Sequence, residues 1–161
     1  MITLSLGIQK HFNIPKSNEV ILTSGTTHSI NLVAFGFGTL LDPGDEVIVS
    51  ALEHHANIVP WQMMCERSGA VLRVIPMTDE GTLDMHTYAE LLNKKTKLVF
   101  VNHVSNALGT INPIEEIIKK AHKTGAAVLV DGGHVHRVRP EHVIRPIARD
   151  AGLLRHPLAA T

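Results

Sequence analysis

The sequence is poor in several features that define large classes of proteins. Among 161 residues it has one cysteine, Cys65, which excludes an internal disulfide framework and is typical of a reducing compartment. No apolar run reaches the roughly 20 residues of a membrane-spanning helix, and the first residues lack the features of a signal peptide. Fifteen basic and fifteen acidic side chains balance, so net charge gives no reason to expect binding to nucleic acid or to a membrane surface. We therefore expect a cytoplasmic protein with no nucleic-acid or membrane partner.

Two common nucleotide-binding motifs are also absent. No Gly-Lys-Ser/Thr follows a glycine-rich loop, and no Gly-x-Gly-x-x-Gly follows an apolar run. Apolar residues nevertheless make up 44% of the chain and charged residues only 19%, a composition typical of a globular domain with a core.

Apolar runs alternate with helical patterns along most of the chain. The runs are nearly continuous in Val, Ile and Leu, as in strands that are covered on both faces. Strands are predicted at 20–23, 46–50, 71–76, 96–102 and 126–132. Helices are predicted after Gly25, from about Pro60, over about 85–93 and from Pro113, with Gly69 and Gly125 as C-terminal caps. This alternation predicts an α/β fold with a mostly parallel sheet and flanking helices.

The composition changes near Gly133. All eight lysines precede Asp131, whereas five of the seven arginines follow it. Residues 133–161 contain no Phe, Tyr, Trp, Asn or Ser, and no strand is evident there. We predict a folded region over residues 1–132 and an atypical tail, rich in Arg, His and Pro, over residues 133–161.

Polar loops follow four of the predicted strands. They read TSGTTHS (23–29), ALEHHAN (51–57), HVSNALGT (103–110) and DGGH (131–134). Because ligands of open α/β sheets bind outside the carboxyl ends of the strands, the four loops are expected to meet at one rim.

Each loop offers one group that suits a phosphorylated, planar cofactor. Thr26 and Thr27 begin a helix, where free N–H groups suit a phosphate, although a simple helix cap fits the same pattern. His54 is either a ring that stacks on the cofactor or a solvated loop histidine, and Asn106 is either a ring ligand or a turn residue. Asp131 ends a buried strand and requires a cationic partner, such as a protonated pyridine nitrogen. Together these groups outline a site for pyridoxal 5′-phosphate (PLP).

Four stretches resemble one family. TSGTTHSINLVA, LEHHANIVPWQ, HVSNALGTINP and VLVDG are similar, in order and spacing, to cysteine desulfurases of the class V aminotransferase family, in particular its selenocysteine-lyase-like branch. The resemblance implies part of the large domain of a fold type I PLP-dependent transferase. It also implies an enzyme that removes sulfur from L-cysteine, giving L-alanine and an enzyme persulfide for iron–sulfur cluster assembly. A sulfur-acceptor protein and a homodimer are the partners implied for the intact family.

The resemblance also assigns roles to individual residues. Thr26 and Thr27 are expected to bind the phosphate, and Asn106 to contact the ring oxygen. His54 is expected to stack on the ring and to act in catalysis, and Asp131 to bind the ring nitrogen.

The sequence departs from the family pattern after Gly132. The family reads Asp-Gly-Ala-Gln where this chain reads DGGH (131–134), so His134 takes the place of a glutamine that binds the cofactor. The Ser-Gly-His-Lys motif, which carries the PLP-binding lysine, has no counterpart, since no lysine follows Lys123. Cys65 falls in a helical pattern near Trp61 and is predicted to be a core residue, not the nucleophile. The chain as given is therefore expected to be inactive.

Two other interpretations remain open at this stage. The first is a non-catalytic remnant that binds PLP weakly or not at all. The second is a metal-binding protein in which Asp131, His134 and His136 supply the ligands.

Overall fold

The structure is a computed structural model that describes residues 2–11 and 14–133. The chain divides into two compact units. The described part of the first consists of residues 2–11 and 14–22, with helix α1 (Ile2–His11) and a short 3-10 turn at Ser17–Glu19. The described part of the second is residues 23–133, which contain all the described strands. No helix among the described residues is both long and apolar enough to cross a membrane.

The second unit is built on a four-stranded parallel sheet. Its strands are β1 (Glu46–Ser50), β2 (Val71–Ile75), β3 (Thr96–Asn102) and β4 (Ala127–Asp131), in the spatial order β2-β1-β3-β4. Every adjacent pair is parallel, so the four carboxyl ends lie at the same edge. The predicted α/β fold with a mostly parallel sheet is confirmed.

Four helices connect and cover the strands. They are α2 (Thr26–Gly38), α3 (Val59–Ser68), α4 (Met85–Leu91) and α5 (Ile114–Thr124). Gly69 and Gly125 end α3 and α5 in the left-handed conformation, as predicted, with φ of 76° and 84°. The boundaries of the four helices follow the sequence prediction to within a few residues.

The two faces of the sheet carry separate apolar cores. Alternate side chains of a strand point to opposite faces, so β1 and β3 each contribute to both. On one face Val47, Val49, Leu98 and Phe100 pack against α2 and α3 through Ile30, Ala34, Trp61 and Met64. On the other face Ile48, Val99 and Val101 pack with Tyr88, Ile117 and Ala121 of α4 and α5. The result is a helix–sheet–helix sandwich whose carboxyl edge is free to present loops.

The strand predicted at residues 20–23 is wrong. This segment is neither strand nor helix and pairs with no strand among the described residues. Ile21 is 71% exposed, whereas the residues of β1 are all buried. A run such as VILT has high β-propensity, but a strand forms only where a neighbour completes its hydrogen-bond ladder.

Cys65 is a core residue, as predicted. Its side chain is 3% exposed on the inner face of α3. Burial raises the pKa of its thiol to about 11, so the nucleophilic thiolate is scarce at neutral pH.

A buried carboxylate at the amino end of β1 gives a prediction about acid stability. Glu46 accepts hydrogen bonds from Asn93 Nδ2 at 2.8 Å and from Arg73 at 3.1 Å. The bond from Asn93 is the main cause that lowers the pKa of Glu46 below its ordinary value of 4.5. Because the folded-state pKa is the lower one, Glu46 stabilises the fold above pH 4.5, and this contribution is lost as the pH falls through the folded value.

Glu46→Gln should therefore make the unfolding free energy less dependent on pH in the acid range. We expect the difference in unfolding free energy between wild type and variant to be about 1–2 kcal/mol at neutral pH and to shrink as the pH falls below 4.5. Urea unfolding at a series of pH values measures it. A difference that does not change with pH would contradict the assignment.

Candidate functional site

A cavity opens where the carboxyl end of β4 meets the beginning of α2. Its volume is about 390 Å³, within the roughly 300–1,000 Å³ typical of small-molecule and cofactor sites. It is lined by polar groups and by apolar side chains of the adjoining core: Thr23, Gly25, Thr26, Ser29, Ile30, Val33, Phe100, Leu129, Val130, Asp131, Gly132 and Gly133. The cavity therefore combines an apolar wall with hydroxyl and carboxylate groups.

The first turn of α2 supplies the part of the cavity that suits an anion. Gly25 precedes the helix with a φ of 136°, a conformation that favours glycine, and no side chain caps the first N–H groups. These N–H groups and the helix dipole attract negative charge. The hydroxyl group of Thr26 adds a further donor at the cavity, whereas those of Thr23 and Ser29 are hydrogen-bonded to each other at 2.6 Å. A phosphate group fits this end.

Asp131 faces the same space. A Cβ atom added at Gly133 would lie 3.1 Å from Asp131 Oδ1 and 3.3 Å from Thr26 Oγ1, so both oxygens lie close to one point. The backbone N–H of Gly133 donates to Asp131 Oδ1 at 2.8 Å, which orients the carboxylate. No lysine or arginine of the described ranges forms an ion pair with Asp131. Its carboxylate is thus available to a cationic ligand group.

The strand pairing fixes Asp131 against β3. Asp131 is the register partner of Asn102, and its carbonyl oxygen accepts a hydrogen bond from the backbone N–H of His103 at 2.9 Å. The position of the carboxylate is therefore set by the hydrogen bonds of the sheet.

His54 lies in the loop that leaves the carboxyl end of β1. Its ring is exposed, and Nδ1 accepts a hydrogen bond from the backbone N–H of Ala56 at 3.1 Å. A neutral ring in this arrangement carries its proton on Nε2. The 3-10 turn that follows, His55–Asn57, contacts α2, so this loop lies beside the helix that lines the cavity.

The remaining predicted site residues are placed as follows. Thr27 and Asn106 are exposed, the first in the opening turn of α2 and the second in a turn four residues after the end of β3. Thr27, Asn106 and His54 are not among the lining residues of the cavity, whereas Thr26 and Asp131 are.

His134 and His136 lie outside the described residues. Among residues 2–11 and 14–133, no group of three His, Cys, Asp or Glu side chains could hold a metal ion.

Sequence reasoning missed Glu53, the residue before His54. Its half-buried carboxylate accepts three hydrogen bonds from Ser50, Asn57 and Asn102. Burial, ahead of every other cause, raises the pKa of Glu53. The signal in the sequence is an acidic residue three positions after a buried strand, with an asparagine four positions further along.

Comparison with known proteins agrees with this geometry. The profile of the family "Aminotransferase class-V" matches residues 4–140. A cysteine desulfurase of Escherichia coli O139:H28 is 50% identical over 132 residues, covering 81% of this chain and 32% of the relative. The chain thus spans about a third of the length of this relative.

Solved structures show the same likeness. The cysteine desulfurase CsdA of Escherichia coli superposes with a TM-score of 0.76 at 35% identity, over 80% of this chain and 32% of that one. C-DES, solved with glycine covalently linked to its PLP cofactor, gives a TM-score of 0.72 at 25% identity, over 82% and 35% of the two chains. With the family profile covering most of its length, this chain belongs to the class V aminotransferase family and has part of the fold of the PLP-dependent fold type I enzymes.

Proposed function

We propose that this chain provides the PLP-binding part of a cysteine desulfurase. One observation carries the proposal: the carboxylate of Asp131 and the hydroxyl of Thr26, at the beginning of α2, lie close to one point at Gly133 in a single cavity. A ligand in that cavity meets an anion-binding helix terminus and a carboxylate together. PLP has a phosphate and a protonatable ring nitrogen, which are the two groups that such a cavity recognises.

Each residue then has a defined task. Thr26, Thr27 and the first N–H groups of α2 bind the phosphate, and Asp131 accepts a hydrogen bond from the protonated ring nitrogen and balances its charge. His54 stacks on the ring and Asn106 donates to the ring oxygen. When bound, PLP supplies the electron sink that permits bond cleavage in an amino acid.

The activity proposed for the whole protein is removal of sulfur from L-cysteine to give L-alanine and a persulfide on the enzyme. Support comes from relatives named cysteine desulfurase, at about half identity over most of this chain. A homodimer, a sulfur-acceptor protein and a role in iron–sulfur cluster assembly are part of the same proposal. The cytoplasmic location stays a prediction from the sequence, and so does the boundary at residue 132 between the folded region and the tail.

Phosphate recognition is tested by comparing PLP with pyridoxal, which lacks the phosphate. Trp61 is the sole tryptophan, and its ring lies 5.4 Å from that of Phe100, which lines the cavity. Quenching of its fluorescence therefore reports binding. We expect PLP to bind at least about tenfold more tightly than pyridoxal, because the phosphate makes charge-assisted hydrogen bonds with the start of α2.

A matched pair of variants locates the effect. Thr26→Val should reduce the preference for PLP several-fold (roughly the loss of one charge-assisted hydrogen bond), whereas Thr39→Val, at the opposite end of α2, should leave it unchanged. Equal affinities for PLP and pyridoxal in the wild type would overturn the proposed function.

A further inference from the structure

The loop that carries His54 also contains a hydrogen-bonded carboxylate, that of Glu53. Glu53 Oε1 accepts hydrogen bonds from Ser50 Oγ at 2.5 Å and from the backbone N–H of Asn102 at 2.7 Å. Its other oxygen, Oε2, accepts from Asn57 Nδ2 at 2.5 Å. Asn57 is fully buried. A single side chain therefore joins both ends of the loop between β1 and α3 to the end of β3.

A second set of hydrogen bonds also connects the loop after β1 to the end of β3. Asn102 Nδ2 donates to the carbonyl oxygen of Leu52 at 2.7 Å. Asn112 Nδ2 in turn donates to Asn102 Oδ1 at 2.7 Å and to its carbonyl oxygen at 2.9 Å. The loop after β1 is thus fixed at residues 52, 53 and 57, on both sides of His54.

The same hydrogen bonds connect the loop to the strand that carries Asp131. Glu53 is hydrogen-bonded to Asn102 at the end of β3, and Asn102 is the register partner of Asp131 on β4. Glu53 and Asn102 therefore connect His54, which is assigned to the face of the cofactor ring, to Asp131, which is assigned to its nitrogen. A shift of the His54 loop relative to β3 requires these bonds to break.

We propose that Glu53 is a positioning residue that holds the His54 ring at a fixed place relative to Asp131. The proposal rests on the proposed function, because it assumes that His54 stacks on PLP. Glu53 itself does not contact the cofactor. Its effect on binding passes through His54, since a gap of about 0.5–1 Å between a stacked ring and its partner loses a quarter to a half of the dispersion attraction.

A double-mutant cycle separates this role from a general structural one. In the wild-type background, Glu53→Ala should weaken PLP binding, measured by Trp61 quenching, about tenfold. In a His54→Ala background the same substitution should change the affinity less than about twofold, because the ring it positions is gone. Glu53→Gln, unlike Glu53→Ala, should keep most of the wild-type affinity. The glutamine oxygen still accepts from Ser50 and Asn102, and the glutamine NH2 group donates to the oxygen of Asn57 once the Asn57 amide is flipped.

Glu46 provides the matched control at the other end of β1. It too is a carboxylate that accepts hydrogen bonds from an asparagine and a second side chain. Glu46→Ala should lower the urea midpoint without changing PLP affinity. If Glu53→Ala does not fold, Glu53→Asp, which keeps the charge but shortens the reach, takes its place in both backgrounds.

The outcomes distinguish two kinds of failure. Equal weakening of PLP binding by the Glu53 substitution with and without the His54 ring overturns the positioning role and leaves the proposed function standing. The same holds if the Glu53 variants bind PLP as the wild type does. A wild type that shows no preference for PLP over pyridoxal overturns the proposed function and, with it, this role.

Discussion

Asp131→Asn is expected to weaken PLP binding by about thirtyfold, which corresponds to about 2 kcal/mol. The carboxylate balances the charge on the protonated ring nitrogen with the oxygen that Gly133 does not occupy, whereas asparagine is uncharged and has one oxygen for both partners. Asparagine keeps an oxygen that accepts from the backbone N–H of Gly133, a bond of 2.8 Å in the wild type, so the turn after β4 is preserved. Titration with PLP, followed by the fluorescence of Trp61, measures the change.

Two controls tie the loss to the ring nitrogen. Asp79→Asn makes the same change of charge on an exposed loop residue and should leave the affinity unaltered. A phosphorylated benzaldehyde analogue of PLP, which has no ring nitrogen, should bind wild type and Asp131→Asn equally. If Asp131→Asn weakened both ligands alike, the carboxylate would be supporting the cavity and not recognising the nitrogen.

Sequence reasoning placed the sheet well because its signals are local. EVIVS and TKLVFVN are apolar runs bounded by polar or turn residues, and they form β1 and β3 over the predicted ranges. The glycines that end α3 and α5 are equally local signals. VILT was misassigned because strand formation depends on a partner far away in sequence, and propensity alone contains no information about it.

The site was only partly predictable for the same reason. Thr26 and Asp131 stand out as a helix start and a strand end, and parallel strands bring such positions to one edge. Glu53 was missed because its significance comes from a hydrogen bond to Asn102, 49 residues away. A carboxylate in a polar loop is usually solvated, so only the folded chain distinguishes this one from its neighbours.

The positions of the lysines lead to the second large prediction. Lys94, Lys95 and Lys97 lie at the amino end of β3, and Lys97 forms an ion pair with Asp45 at 3.6 Å. Along β3, Lys97 is five residues from Asn102, roughly 16 Å at the rise of a strand. Lys119, Lys120 and Lys123 lie on α5, where Lys120 pairs with Glu116 at 2.8 Å. No lysine lines the cavity described above, and none occurs after residue 123.

We therefore expect the 161-residue chain to bind PLP without covalent attachment in the cavity. Borohydride reduction followed by mass spectrometry should find no stoichiometric PLP–lysine adduct, only scattered modification of exposed lysines. Incubation with L-cysteine should release no more alanine than free PLP does, because the reaction requires a lysine to hold the cofactor and a reactive thiolate to accept the sulfur, and the thiol of Cys65 is buried. A full-length cysteine desulfurase assayed in parallel shows that both measurements work. A one-to-one adduct on a single lysine, together with turnover, would show instead that a lysine of this chain does reach the cofactor.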